Sequence, residues 1–157
     1  MSKKLDENYK FARFLKNHAE EEEFDKRIKE LHNKYFKTYD CSKCLNCCKK
    51  LNVSFSNKEI EAGSKELKCT VEELKNKYLT FDKLENKYIT KTTPCPFLKN
   101  QQCILKNSKP KNCKDYPYTN KKERIHSLYT LVNNAEICPV VDKILDELKS
   151  IYHFKVR

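Results

Sequence analysis

The residues of this 157-residue chain with the clearest capacity for chemistry are its nine cysteines. Four of them form the pattern C-x-x-C-x-x-C-C at Cys41, Cys44, Cys47 and Cys48. Thiolates bind zinc and iron well because sulfur is a soft donor that gives up its proton to a cation. Two-residue gaps let neighbouring sulfur atoms converge on one ion. The pattern therefore predicts a metal site.

The same pattern leaves the metal open between zinc and an iron–sulfur cluster. The spacing of Cys41, Cys44 and Cys47 matches the first three ligands of the bacterial ferredoxin run. On one continuous helix, Cys41, Cys44 and Cys48 would share a face and Cys47 would point away. We therefore expect either a loop here or two centres, which could be two four-sulfur sites or one larger cluster and one zinc.

Other residue types give weaker signals. The four histidines have no spacing typical of zinc ligands, and His18 falls on a helix stripe that predicts core packing. Cys69 stands alone before a predicted helix and is expected to be a small buried residue. Gly63 is the only glycine, which excludes a glycine-rich phosphate loop.

Composition and charge limit the compartment and the class of protein that we expect. No apolar run approaches the roughly 20 residues of a membrane helix, and no secretory signal opens the chain. We therefore expect a cytoplasmic protein whose thiols serve metal or redox chemistry rather than disulfides. Lys and Arg number 33 against 22 Asp and Glu, for a formal net charge of +11.

The positive charge permits nucleic acid as a partner without favouring it. Basic residues run from Lys106 to Arg124, with Tyr116 and Tyr118 among them. Such a stretch could bind an anionic strand by charge and stacking. It could equally form a basic shell that offsets the charge of thiolates, and we favour the shell.

Helices are predicted at both ends of the chain. Residues 5–37 carry two apolar stripes with a break near Glu20, and residues from Pro139 onward carry another. The first two stripes are wide enough to pack across the core, although a partner-binding helix is the alternative.

The middle of the chain predicts shorter elements. Capping boxes at Ser56–Glu59 and Thr70–Glu73 predict helices ending near Leu67 and Leu79. Residues 87–93 alternate as a strand does, and residues 96–105 predict a hairpin. Residues 109–118 predict a loop with one helical turn, while residues 126–132 suit either a strand or a short helix.

These elements predict a mostly helical, irregular α+β fold. We expect an N-terminal helical arm at 1–40, a small cysteine-centred metal-binding domain at 41–140, and a C-terminal helix at 141–157 that packs on it. The modest apolar content, 38%, is consistent with a fold that gains stability from a metal.

The order of the cysteines and prolines resembles the YkgJ-like cysteine-cluster family, a zinc- or iron-chelating domain. The resemblance rests on the first four cysteines followed by Cys95-Pro96-Phe97-Leu98, Cys103, Pro110-x-x-Cys113-x-x-Tyr116-Pro117 and Cys138-Pro139. It spans residue 41 to about residue 140. The chain has Asn46 where the family usually has Gly, and Asn tolerates the left-handed backbone that such a turn needs.

The resemblance implies a ligand set of eight cysteines that excludes Cys69. Those residues are Cys41, Cys44, Cys47, Cys48, Cys95, Cys103, Cys113 and Cys138. The expected function is metal binding, with the biological role open. Two alternatives stay open: an iron–sulfur enzyme in redox chemistry or methyl transfer, and a nucleic-acid-binding zinc module.

Overall fold

The structure, a computed structural model, describes residues 2–156. It is 57% helix and 9% strand, which confirms the predicted mostly helical α+β class. The helices are α1 (Lys3–His18), α2 (Glu21–Phe36), α3 (Cys41–Cys44), α4 (Asn46–Lys50), α5 (Asn57–Glu66), α6 (Val71–Tyr78), α7 (Lys111–Asp115), α8 (Leu128–Ala135) and α9 (Pro139–Ile151), with a 3-10 turn at Arg124–Ser127. The strands are β1 (Ser54–Phe55), β2 (Leu79–Asp82), β3 (Lys87–Thr90), β4 (Leu98–Lys99) and β5 (Gln102–Cys103). Among residues 2–156, no helix has the length and apolar character needed to cross a bilayer.

The chain divides into two compact units. The helical unit comprises Met1–Asp40 and Pro117–Arg157, and the cysteine unit comprises Cys41–Tyr116. These boundaries differ from those of the predicted domains. The predicted 41–140 domain covers the cysteine unit and continues into the second segment of the helical unit.

The helical unit buries the two stripes predicted at the start of the chain. Phe11 and Leu15 of α1, and Phe24 and Ile28 of α2, are fully buried. Helix α1 packs on α8, and α2 packs on α9. The predicted break is confirmed, because Glu20 caps α2 by accepting the N–H of Glu23 at 3.1 Å. Both stripes therefore face the interior of their own unit.

The later part of the helical unit is also helical. Residues 126–132, which suited either a strand or a helix, form the end of the 3-10 turn and the start of α8. Leu128, Leu131 and Val132 recur at helical spacing and are all buried. Helix α9 begins at Pro139 as predicted, with a buried stripe that packs against α2 and α8.

Two capping boxes organise the cysteine unit. Ser56 and Glu59 bond reciprocally at the start of α5, and Thr70 and Glu73 do the same at the start of α6. Both predictions are confirmed, and each helix ends one residue earlier than expected. Gly63 lets the two helices approach, because an added Cβ there would lie 3.3 Å from Leu74 Cδ1.

A small sheet and hairpin complete this unit. Strands β2 and β3 pair antiparallel, and β1 pairs with the other edge of β3. The predicted strand at 87–93 ends at Thr90, and the predicted hairpin is β4–β5. The core that these elements share comprises Phe55, Ile60, Leu74, Tyr78, Leu79, Phe97 and Leu105.

Helix α5 holds the segment before α7 by two carboxylates. Glu66 accepts the backbone N–H groups of Lys106, Asn107 and Ser108 at 3.0, 2.9 and 3.0 Å, and also accepts the Ser108 hydroxyl. Glu59 accepts the N–H of Lys111 at 2.7 Å. The bond from the Ser108 hydroxyl, together with those from the backbone, lowers the pKa of Glu66 to about 2.

We expect Glu66→Gln to lower the melting temperature at neutral pH. A carboxyl whose pKa is depressed in the folded state adds stability above its unfolded value, and that stability is lost as pH falls through the folded value. The gap in melting temperature between wild type and variant should therefore narrow as pH falls from about 5 to about 2. Thermal denaturation followed by circular dichroism measures it.

Glu61→Gln, an exposed change on the same helix, is the control and should leave the melting curve near that of wild type. A gap for Glu66→Gln that stays constant across this pH range would contradict the proposed role of the charge.

Candidate metal centre

The first four cysteines lie on two helical turns that meet at Leu45. Helix α3 carries Cys41 and Cys44, and α4 carries Cys47 and Cys48. Leu45 between them has a left-handed backbone, with φ 57° and ψ 12°. This conformation costs a non-glycine residue about 1–2 kcal/mol, and burial of the Leu45 side chain, 7% exposed, offsets that cost.

Two local expectations for this segment need correction. It is not a loop, because two short helical turns meet at Leu45. The alternative, that the thiols serve two centres, stays a prediction. The left-handed position also falls on Leu45 and not on Asn46, which is the first residue of α4. The break frees Cys47 from the orientation that a continuous helix would impose.

Cys95 is joined to Cys48 through the backbone. The N–H of Cys95 donates to the carbonyl of Cys48 at 2.7 Å. A turn then follows, in which the N–H of Leu98 donates to the Cys95 carbonyl at 2.9 Å, and Leu98 pairs with Cys103 across β4–β5. Cys95 and Cys103 both pack against the core of the cysteine unit. The hairpin therefore brings two thiols to the edge of that core.

Cys113 lies on α7, whose position is set by contacts to distant parts of the unit. Asn112 donates to the hydroxyl of Ser54 at 2.5 Å, next to the bond from Lys111 to Glu59. Helix α7 is the helical turn predicted within 109–118. These contacts fix the position of α7 and therefore the position of Cys113.

Five thiols act on one another electrostatically. None of them is in a disulfide, and they come from α4, the turn before β4, strand β5 and α7: Cys47, Cys48, Cys95, Cys103 and Cys113. Burial raises the pKa of Cys95, and charge on Cys48 and Cys103 raises it further. Cys113 is exposed as a residue, but burial of its sulfur, followed by charge on Cys95, Cys48 and Cys103, raises its pKa to about 12.

Adjacent Cys47 and Cys48 share a hydrogen bond between their sulfur atoms. The bond raises the pKa of Cys47 and lowers that of Cys48. The positive charges of Lys109 and Lys49 also lower the pKa of Cys48. A hydrogen bond from one thiol to the next favours ionisation of the acceptor, and so favours a thiolate donor at this position.

Lys109 is the cation common to several members of the group. Burial raises the pKa of Cys103 and of Cys113, and the charge of Lys109 opposes the rise at both. The residue is exposed, and it belongs to the basic stretch that the sequence singled out. Its place beside Cys48, Cys103 and Cys113 fits a shell that offsets thiolate charge.

The other predicted ligands occupy different positions. Cys41 and Cys44 precede the group on α3, where the Cα of Cys44 lies within about 11 Å of that of Cys47 along the chain. Cys138 is buried at the start of α9 in the helical unit. Cys69, outside the predicted set, packs against the core of the cysteine unit.

The donor chemistry of the group fits a soft metal. Within residues 2–156, no three or more His, Cys, Asp and Glu side chains already stand in the geometry of a metal site. The five thiols nonetheless lie near enough for ionisation of one to hinder ionisation of the next. Sulfur donors that repel one another when ionised are the environment that a thiophilic cation stabilises.

Sequence reasoning missed the two carboxylates that position Lys109 and Cys113. Glu59 was identified only as part of a capping box, and Glu66 not at all. Their partners lie between 40 and 52 residues away in the chain. No local spacing signals such contacts.

Comparison with known protein families gives one match to this chain. A family model described as "CxxCxxCC: Putative zinc- or iron-chelating domain" matches residues 40–139, which is more than half of the chain. No curated protein and no solved structure matches the chain. The matched span begins before Cys41 and ends after Cys138, and so includes all eight cysteines of the predicted set. The chain therefore belongs to the CxxCxxCC cysteine-cluster family.

Proposed function

We propose that the cysteine unit binds zinc or an iron–sulfur cluster through its grouped thiols. The observation that carries the proposal is the convergence of five thiols, at Cys47, Cys48, Cys95, Cys103 and Cys113. The Cys95 N–H donates to the Cys48 carbonyl at 2.7 Å, Cys103 lies on the strand that pairs with the end of the same turn, and charge on these thiols raises the pKa of Cys113. They come from segments up to 66 residues apart in sequence. Such convergence is unusual for cysteines whose role is packing alone.

A bound cation would resolve the electrostatic problem that this group creates. Without metal, burial and mutual repulsion keep most of these thiols protonated at neutral pH. A divalent ion replaces the protons and binds the resulting thiolates. Binding should therefore release protons and stabilise the fold of the unit.

The cysteines have different places in the proposed donor set. Cys48 would supply the first thiolate, and Cys47 its adjacent partner. Cys95, Cys103 and Cys113 would complete the sulfur set, with Cys41 and Cys44 as further donors from α3. Cys138 keeps its place in the predicted set from the family pattern alone.

Zinc and iron would give the site different roles. Four thiolates around zinc close its coordination shell and make the site structural. An iron–sulfur cluster held by the same thiolates supplies electron transfer when bound. The same thiols suit either metal, and elemental analysis of protein purified without oxygen distinguishes them.

The first test compares wild type with Cys113→Ser. A serine hydroxyl is a poor ligand for soft metals, so we expect this variant to lose metal to a competing chelator at least about tenfold more readily. Metal and inorganic sulfide per chain, with an absorption spectrum, give the readout. Zinc without a visible band indicates the structural site, and iron with sulfide and a broad visible band indicates the cluster.

Cys69→Ser is the matched control, since it also removes one thiol from the cysteine unit but lies outside the group. It should retain wild-type metal content. Wild-type protein purified without oxygen that contains neither zinc nor iron would contradict the proposal, as would equal metal retention by the two variants.

A second test concerns the charge of Lys109. Lys109→Gln removes a cation that favours the thiolate form, so metal affinity should fall by about threefold. The decrease should become smaller at high salt, because the lysine is exposed. Competition with a chromophoric chelator measures the affinity.

Lys106→Gln, three residues earlier and also exposed, controls for the loss of one positive charge. Equal effects of the two substitutions would show that only net charge matters and would contradict a specific role for Lys109.

A further inference from the structure

The helical unit has an open surface cavity of about 600 Å³ that the metal site does not involve. It lies between the second half of α1 and the segment that follows α9. Two aromatic rings, two imidazoles and two ammonium groups line it, at Phe14, Phe154, His18, His153, Lys10 and Lys155. A volume of this size accommodates a small organic ligand.

A Schellman turn builds one wall of the cavity. Helix α9 ends at Tyr152, and His153 takes the left-handed conformation with φ 52°. The N–H of His153 donates to the carbonyl of Ser150 at 3.2 Å, and the N–H of Phe154 donates to that of Lys149 at 2.9 Å. These bonds end the helix and direct the chain back across α1.

The turn places Phe154 in an aromatic cluster. Its ring centroid lies 5.1 Å from that of Phe11 and 5.3 Å from that of Phe14. On the other side, Phe14 stacks on His18 with centroids 4.2 Å apart and planes 9° apart. The expectation that His18 packs in the core is wrong, because its residue is exposed and only its ring face is covered. Aromatic side chains therefore form the apolar part of the lining.

The polar groups of the lining favour negative charge. None of the lining residues in the described part of the chain is acidic. Lys10 pairs with Asp6 at 2.8 Å, whereas Lys155 is exposed beside Phe154. His18 Nδ1 lies 2.8 Å from the Phe14 carbonyl and must donate to it, which turns Nε2 to other partners.

We propose that this cavity binds a small organic anion that combines an aromatic ring with a carboxylate, sulfonate or phosphate group. The ring packs against the edges of Phe14 and Phe154 and against the imidazoles. The anionic group meets the ammonium of Lys155, and the imidazole of His153 borders the same space. This site is independent of the metal centre, and neither requires the other.

The test uses anilinonaphthalene sulfonate, an aromatic anion whose fluorescence rises when it binds. The full-length protein is titrated with the dye, and the ring signals of its four histidines are followed by NMR. We expect saturable one-to-one binding that shifts His18 and His153. His32, which bonds Thr119, and His126, which pairs with Glu21, lie outside the lining and should not shift.

Charge reversal then tests the anion preference. Lys155→Glu changes an exposed residue, so the fold should persist, and dye affinity should fall by about tenfold or more. Lys29→Glu, an exposed lysine on α2 outside the lining, should bind the dye as wild type does. Phenylnaphthylamine, which has the rings without the sulfonate, should bind wild type more weakly than the dye and should not discriminate between the variants.

Three results would overturn the proposal. One is absence of saturable binding, and another is equal shifts of all four histidines, which would indicate diffuse binding. The third is a Lys155→Glu variant with wild-type affinity, which would show that the cavity does not select for charge.

Discussion

Thiolates crowded into a small space repel one another, and the cysteine unit is organised around that constraint. Burial and neighbouring sulfurs raise the pKa of Cys95 and Cys113, so few of these groups ionise without a compensating charge. The chain supplies part of the compensation through the Cys47–Cys48 hydrogen bond and the ammonium of Lys109. A divalent metal would supply much more. Repulsion of this kind is what a soft cation bound by the thiols would relieve.

Convergence of the thiols depends on contacts that are few and specific. A backbone bond holds Cys95 to Cys48, and the carboxylates of α5 hold the chain between Lys106 and Lys111. Because the apolar core of the unit is small, these polar contacts fix segments that packing alone would not hold in place. The positions of the thiols in this site are therefore set largely by hydrogen bonds that involve the backbone.

The features that could be predicted are those decided within a few residues. A capping box needs only Ser56 and Glu59, and an apolar stripe needs only its own spacing, so the helices were predicted with small errors at their ends. Features decided by distant contacts could not be predicted. The hydrogen bonds from the backbone around Lys106 to the Glu66 carboxylate join residues about 40 apart. The left-handed backbone of Leu45 depends on burial of its side chain, which outweighs the preference of leucine for right-handed conformations. The sequence identified the cysteines but could not show that Cys138 belongs to a different compact unit from the others.

X-ray absorption at the edge of the bound metal tests most directly whether the cysteines hold it. Protein purified without oxygen would be measured at the zinc or iron edge, according to its elemental content. Thiolate ligation predicts a first shell of sulfur at about 2.3 Å, with no contribution from lighter atoms. A shell of nitrogen or oxygen at about 2.0–2.2 Å would contradict the account, because the metal would then lie away from the thiols.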